Sequence, residues 1–264
     1  MISVSIVTYN SGAVIGRCLD SLALSLEPDR ELALVVVDNG SSDDTLEVVA
    51  AFSKDPPKGL RVTLTRSAEN LGYGRAHNLA MRGGTADYHV ICNPDIIFRG
   101  NVLRTMQDFL EQNPGVGLVS PTVLNEDLTP QHLNKRLPTV FDLFLRRFLP
   151  RPLTPLFRRR LDRYEMKDVG YASIIDVPFV SGAFLFCRTE ALRLAGGFDP
   201  RYFLYFEDVD LSRSVQKQGF RTVFLPTATV VHLWGRAQHK DPALALAFVQ
   251  SGIRYFRKWG WDLW

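Results

Sequence analysis

Short apolar runs alternate with amphipathic stretches along the first half of the chain, and each run stops at a cluster of polar, turn-forming residues. Residues 3–9 predict a strand ending at Tyr9-Asn10-Ser11-Gly12. Asn10 or Ser11 can cap the following helix, which carries Val14, Ile15, Leu19, Leu22 and Leu26 at helical spacing. Residues 32–37 are almost wholly apolar, as a strand covered on both faces must be, and lead through Asp38-Asn39-Gly40 to a helix over 46–52. A third strand over 60–65 ends in Asn70-Leu71-Gly72-Tyr73-Gly74 before a helix over 75–81. A fourth, over 88–92, is stopped by Asn93-Pro94-Asp95, because proline has no N–H to give the ladder. This alternation predicts the α/β class: a Rossmann-like, mostly parallel central sheet flanked by helices and joined by right-handed crossovers. The strands' carboxyl ends then deliver polar residues to one edge, where open α/β sheets bind ligands.

The second half is less regular. A helix over 101–113 and a strand over 116–119 precede a Pro- and Arg-rich insertion over 129–168. A turn and strand follow over 176–186, and Thr189 is placed to cap a short helix ended by Gly196-Gly197. Phe206-Glu207-Asp208-Val209-Asp210 opens a helix to about 219, two strands fall at 221–225 and 230–232, and an amphipathic helix spans 243–259.

Composition adds three constraints. With 46% hydrophobic and 22% charged residues, the 264-residue chain is long enough for a sizeable core. Cys18, Cys92 and Cys187 are odd in number and widely spaced, so they read as free thiols in a reducing compartment. No leader pattern or run of roughly 18 to 20 apolar residues is found, which predicts a cytoplasmic protein with at most peripheral membrane contact. Net charge is only +3, yet residues 135–163 hold nine basic residues against Asp142 and Asp162, a surplus of seven. No nucleic-acid-binding motif accompanies this basic run, so nucleic acid is not an expected partner.

Several clusters carry candidate chemistry. Asp95, held by a rigid turn at a strand end, suits a hard cation, although Asn-Pro-Asp is also ordinary turn chemistry. Asp38 follows a buried strand at the same edge and can accept from a base or ribose; Asp43 is better read as a helix cap. Asn70, Gly72 and Gly74 resemble a phosphate loop with Asn78 beyond it, and Arg75 at a helix start favours an anion. His77 reads as a site residue or an ordinary helix histidine. Glu207, Asp208 and Asp210 sit at a helix start, where the dipole favours acids. The aromatic run Tyr202-Phe203-Leu204-Tyr205-Phe206 beside them can raise a carboxylate's pKa toward that of a general base. His232, followed by Trp234 and Gly235, reads as a structural histidine or as a metal or diphosphate ligand.

Seven segments, in order, resemble the inverting family 2 glycosyltransferases of the GT-A fold, and in particular their bacterial rhamnosyltransferase-like branch. They are Val4-Ser5-Ile6-Val7-Thr8-Tyr9-Asn10-Ser11, Val37-Asp38-Asn39-Gly40-Ser41-Ser42-Asp43, Asn70-Leu71-Gly72-Tyr73-Gly74, Asn93-Pro94-Asp95, Ser181-Gly182-Ala183, Gly196-Gly197-Phe198-Asp199 and Phe203-Leu204-Tyr205-Phe206-Glu207-Asp208-Val209-Asp210. The resemblance implies one GT-A domain over 1–264, with a nucleotide-sugar-binding half over 1–120 and an acceptor-binding half over 121–264. It implies that Thr8, Tyr9 and Asn10 line the nucleotide pocket and that Asp38 binds the pyrimidine. Asp95 becomes the surviving acid of the family's metal motif, with the uncharged Asn93 in first place and His232 near Mg²⁺ or Mn²⁺. Asp208 becomes the catalytic base, and Glu207 and Asp210 position it or contact the acceptor. The implied donor is dTDP-rhamnose, with UDP-sugars behind it. The implied acceptor is a saccharide or a polyprenyl-diphosphate-linked sugar of cell-wall or surface-polysaccharide synthesis. Two other functions stay open, a nucleotide-sugar-binding protein without transferase activity and a sugar-phosphate nucleotidyltransferase.

On the acceptor side, Phe141, Phe144, Leu145, Phe148 and Leu149 recur at helical spacing with Arg146 and Arg147 between them and Arg158-Arg159-Arg160 beyond. That pattern suits a segment lying on an anionic membrane at the inner face of the cell, assisted by the aromatic C-terminal residues. A helix packed on the core with solvated arginines fits the same pattern.

Overall fold

A computed structural model describes residues 1–27, 30–233 and 242–264, with the side chains of Phe148 and Arg151 left aside; Trp234 and Gly235 lie outside the described residues. Four apolar strands, β1 (Ile2–Thr8), β2 (Leu32–Asp38), β3 (Leu60–Arg66) and β4 (Tyr88–Cys92), pair in parallel in the order β3-β2-β1-β4. Helices α1 (Gly12–Leu24), α2 (Thr45–Lys54) and α3 (Tyr73–Met81) make the crossovers. Val4, Ile6, Leu34, Val36 and Val90 are fully buried against Ile15, Leu19 and Leu22 of α1, which explains why these strands read as continuous apolar runs.

The sheet then changes character. β4 is followed by β5 (Ile96–Phe98), α4 (Val102–Gln112) and β6 (Val116–Leu124). Its other neighbour in the sheet is β8 (Phe184–Arg188), which runs antiparallel with Cys92 opposite Phe184. The carboxyl end of β4 therefore meets the amino end of β8, and the Asn93 N–H donates to the Ala183 carbonyl at 3.0 Å. Segment 181–183 is in this way fixed beside the Asn93 turn.

Residues 221–232 form one long strand, β9 (Arg221–His232), parallel to β6. An irregularity between Pro121 and Thr122 carries the pairing across Pro226, which has no N–H for a ladder. Beyond it β9 pairs antiparallel with β5, placing His232 opposite Ile96, and the Leu233 N–H donates to the Asp95 carbonyl at 2.9 Å. The three-residue strand β5 is thus what brings His232 to the Asp95 turn. β7 (Ile175–Asp176) adds a short antiparallel pairing to β9.

The 129–168 insertion is ordered. Thr139 caps α5 (Val140–Phe148), its hydroxyl accepting the Asp142 N–H at 3.1 Å. After a 3₁₀ turn over Arg151–Leu153, α6 (Thr154–Tyr164) packs back on α5 through Arg160 and Asp142, 2.6 Å apart, with the Arg160 guanidinium also over the Phe141 ring. Leu145 is buried, and Val140 and Leu143 pack against a cluster containing Phe179, Tyr202 and Phe256. The chain closes with α7 (Thr189–Ala195), α8 (Glu207–Lys217) and α9 (Pro242–Trp259). All three cysteines are buried free thiols.

Two caps differ from expectation. Neither Asn10 nor Ser11 caps α1 with its side chain; the Gly12 N–H instead donates to Asp43 at 3.0 Å, and the same carboxylate accepts the Thr45 N–H. Asp43 thereby joins the starts of α1 and α2. Thr189 begins α7 without a side-chain cap, and its buried hydroxyl has no partner among the described residues.

Candidate active site

The Asn93 corner is built by β4, β5 and the end of β9. Gln131 sets its chemistry, and nothing in the sequence pattern had singled that residue out. Its side-chain NH₂ donates to the His232 carbonyl at 3.0 Å and to Asn125 Oδ1 at 2.9 Å, so its Oε1 is left to accept from His232 Nδ1 at 3.0 Å. A neutral His232 then carries its proton on Nδ1, and the Nε2 lone pair faces Asp95 Oδ1 at 3.1 Å. Asp95 Oδ1 is buried and receives no hydrogen bond from the described residues. Two acceptors in van der Waals contact repel unless a cation lies with them. A carboxylate beside an imidazole whose other nitrogen is pinned is the usual donor set for a divalent ion, so these residues fit the expected metal. Asn93 adds its side-chain amide 3.5 Å from Nε2.

The ends of β1 and β2 form a second wall. Thr8 Oγ1 donates to Asp38 Oδ1 at 3.2 Å, and the Ser41 N–H donates to Asp38 Oδ2 at the same distance. Asp38 is fully buried, so it braces the wall from behind. Tyr9 is 51% exposed and presents its ring at the edge. Asn10 adopts a left-handed backbone, φ 50°, and its Oδ1 accepts from the Ser42 N–H.

The glycine loop packs closely against the protein's own chain. A Cβ on Gly72 would lie 2.3 Å from the Phe203 carbonyl oxygen, and one on Gly74 would lie 2.9 Å from Phe198 Cβ. What these glycines admit is the close approach of the protein's own 198–203 segment. Asn70 is turned inward, its Oδ1 accepting from Asn39 Nδ2 and from the Gly72 N–H, both at 2.9 Å. Asn78 spends both ends of its amide on the Phe198 backbone, at 2.7 and 2.9 Å. Arg75 donates to the Pro200 carbonyl and faces solvent. Gly72, Gly74, Arg75 and Asn78 thus join α3 to the approach to α8, and their part in donor binding stays a proposal. His77 is core, bonded to Ser5 at 2.8 Å and edge-on to Tyr73.

That approach is strained. Tyr205 and Phe206 both have positive φ, 68° and 67°, although neither is glycine. Each such residue costs on the order of 1–3 kcal/mol and is held only by its surroundings. Here the surroundings are Tyr73, whose N–H donates to the Phe203 carbonyl at 2.9 Å, and α9, where Phe248 and Tyr255 stack on Phe206. The strained pair delivers Glu207 and Asp208 at the first turn of α8. Asp208 accepts the Gly182 N–H at 3.1 Å on Oδ2 and the Val209 N–H at 2.8 Å on Oδ1. Burial raises its pKa above 3.8 and outweighs those hydrogen bonds. Glu207 is 6% exposed, and burial, followed by the charge of Asp208, pushes it up to about 8.

Asp210, expected to position Asp208 or contact the acceptor, is held by its own partners. One turn face away from the site, it accepts from Trp259 Nε1 at 2.7 Å, Lys258 Nζ at 2.8 Å and the Tyr202 hydroxyl at 3.2 Å. It clamps α9 onto α8 and has no free face for an acceptor.

Glu207 and Asp208 open on a cavity of about 340 Å³. Its wall includes Lys135, Arg146 and Arg147 from the insertion, Tyr164 of α6, and Leu244 and Phe248 of α9. Arg146 and Arg147 are therefore not simply solvated. Lys135 is lowered to about 8, chiefly by burial and then by Arg146. Outside the cavity, Phe144 (52% exposed) and Leu156 (76%) stay in solvent.

The sequence matches the family described as "Glycosyltransferase like family 2" over residues 1–251. It is 31% identical to N-acetylglucosaminyl-diphospho-decaprenol L-rhamnosyltransferase of Mycobacterium tuberculosis, over 97% of this chain and 84% of that one. Among solved structures it resembles the mannosyltransferase PcManGT from Pyrobaculum calidifontis, in complex with GDP-Man and Mn²⁺. The TM-score is 0.67 at 22% identity, over 97% of this chain and 63% of that one. It also resembles S. aureus TarS 1-349 in complex with UDP-GlcNAc, with a TM-score of 0.61 at 19% identity over 90% of this chain and 60% of that one. These likenesses establish the GT-A fold, and the chain spans about three-fifths of either solved protein.

Proposed function

The chain belongs to glycosyltransferase family 2 and is a glycosyltransferase, and from that premise we propose an inverting enzyme that moves rhamnose from dTDP-rhamnose to a polyprenyl-diphosphate-linked sugar. The relative from M. tuberculosis, whose name states such an acceptor and sugar, supports this reading of substrate. The observation that carries the chemistry is the bridge from Asp208 through Gly182 and Ala183 to Asn93, which holds the base beside the Asp95–His232 corner.

The reaction needs three things of these residues. Asp208, kept basic by burial, removes the proton from the acceptor hydroxyl as that oxygen forms its bond to the anomeric carbon. The bond from that carbon to the diphosphate breaks on the opposite face, so configuration inverts. Asp95 and His232 would hold Mg²⁺ or Mn²⁺, which when bound supplies positive charge to the departing nucleoside diphosphate. Tyr9, Thr8 and Asn10 border the place for the nucleotide, with Asp38 bracing them. Glu207, pushed up by burial and by the Asp208 charge, lies beside Asp208 as its neighbour in the sequence and in the cavity wall.

No described helix is long and apolar enough to cross a membrane. Exposed Phe144 and Leu156, with Arg158 and Arg159 near them in sequence, suit peripheral contact with an anionic membrane at the cytoplasmic face, where a lipid-linked acceptor resides. A donor panel tests the proposal. dTDP-rhamnose is expected to be hydrolysed or to raise the unfolding temperature in a Mg²⁺-dependent way, ahead of UDP-sugars. Preference for another nucleotide sugar would reassign the donor.

A further inference from the structure

The cavity beside Asp208 has a composition that proton removal alone does not require. Three cations, Lys135, Arg146 and Arg147, line the same cavity as the base. Two neighbouring cations of the insertion face away from it into ion pairs: Arg160 lies 2.6 Å from Asp142, and Arg136 2.8 Å from Asp168. Arg146 lies 5.5 Å from the centre of the Tyr164 ring and only 4.0 Å from its nearest carboxylate, Glu165. Holding a half-buried lysine next to an arginine is unfavourable, and burial with the Arg146 charge lowers Lys135 to about 8. Such a cluster is stabilised by an anion that occupies it.

The donor's own diphosphate does not belong there. Asp38, Asn93, Asp95 and His232, which the proposed function gives to the donor side, do not line this cavity. The cations and Asp208 share one enclosure of about 340 Å³, and Lys135 feels the Asp208 charge.

We infer that Lys135, Arg146 and Arg147 seat the diphosphate of the acceptor, in the cavity that Asp208 also lines. Leu244 and Phe248 then line the start of the lipid chain. The inference rests on the lipid-linked acceptor of the proposed function and deepens it by assigning the residues of its diphosphate subsite.

Metal-free isothermal titration of the full chain with geranyl diphosphate tests it, with inorganic pyrophosphate and UDP as comparison ligands. Arg146→Gln combined with Arg147→Gln, and Lys135→Gln alone, are expected to weaken geranyl diphosphate by about tenfold or more. Asp95→Asn should leave it unchanged, Arg146→Lys should recover most of the affinity, and UDP should be affected least. Retained thermal unfolding transitions establish that the variants fold. Wild-type affinity in the double variant, or an equal loss in Asp95→Asn, would overturn the seat. Donor hydrolysis by the same proteins separates the two readings. A double variant that still hydrolyses dTDP-rhamnose yet binds geranyl diphosphate normally ends the seat and leaves the transferase reading intact. A wild-type protein that binds geranyl diphosphate at the seat but hydrolyses no nucleotide sugar does the reverse.

Discussion

Asp208 Oδ2 accepts the Gly182 N–H at 3.1 Å, and the next residue's carbonyl, Ala183, accepts the Asn93 N–H at 3.0 Å. One backbone segment therefore sets the spacing between the proposed base, Asp208, and the proposed metal corner at Asp95 and His232. The direction change from β4 to β8 places that segment there. A Cβ on Gly182 would stand 3.3 Å from the Tyr73 ring and 3.5 Å from Asp208 Cβ. Gly182→Ala is expected to lower kcat by about ten- to a hundredfold with little change in donor affinity, because small misplacements of a catalytic group are expensive. Steady-state kinetics beside donor titration measures both; an unchanged kcat would show that the spacing is not critical.

Asp210 tests the role its partners give it. Removing its carboxylate strips partners from Trp259, Lys258 and Tyr202 together. Asp210→Ala is expected to destabilise the fold by about 2 kcal/mol in urea denaturation, discounted because Lys258 is partly exposed and keeps Asp199. Transfer measured well below the unfolding midpoint should persist. Full stability with abolished transfer would restore Asp210 to the acceptor site.

Gln131 fixes the tautomer of His232 by accepting from Nδ1. Gln131→Leu should raise the Mn²⁺ concentration for half-maximal thermal stabilisation by about ten- to a hundredfold, the usual effect of losing such a support. The protein without metal should itself unfold at a lower temperature, because the His232 carbonyl and Nδ1–H lose a buried partner, so the Mn²⁺ effect is read from each protein's own metal-free transition. An unaltered Mn²⁺ dependence would place the ion on other residues.

Acid should destabilise the core through His89. The ring is buried, bonded to Ser3 and Ser5, and burial depresses it from 6.5 to about 4. Above pH 6.5 it is neutral folded and unfolded alike. As pH falls from there toward 4, only the unfolded chain takes up the proton, so stability drops across that window. The loss is about 3 kcal/mol at most. His77, bonded to the same Ser5 and depressed further by burial, contributes over the same window, so His89→Gln should reduce the dependence of the urea midpoint between pH 7 and 5 by about half; an unchanged slope would assign it to other groups.

Parallel strands buried on both faces announce themselves as apolar runs, which is why β1 to β4 and the residues at their ends were legible. β5 was not, since Ile96-Ile97-Phe98 is too short to show a period, and with it went the reason His232 meets Asp95. β9 read as two strands because Pro226 lies within it. Glycine patterns report a close approach without saying to what, and Gly72 and Gly74 approach the protein's own chain. The acidic run was ambiguous for a geometric reason: residues two apart on a helix point roughly 200° apart, so Asp208 and Asp210 cannot serve one site. Gln131 gave no signal, being a single polar residue in an irregular stretch.

The central claim is that Asp208 is the base. Replacing it with Asn keeps the shape and removes the proton acceptor. Single-turnover transfer from dTDP-rhamnose to a prenyl-diphosphate-linked N-acetylglucosamine by Asp208→Asn measures this directly. The expected result is a fall of about 10²- to 10⁴-fold in rate with donor affinity retained. Transfer at the wild-type rate, or a loss explained entirely by weaker donor binding, would contradict it.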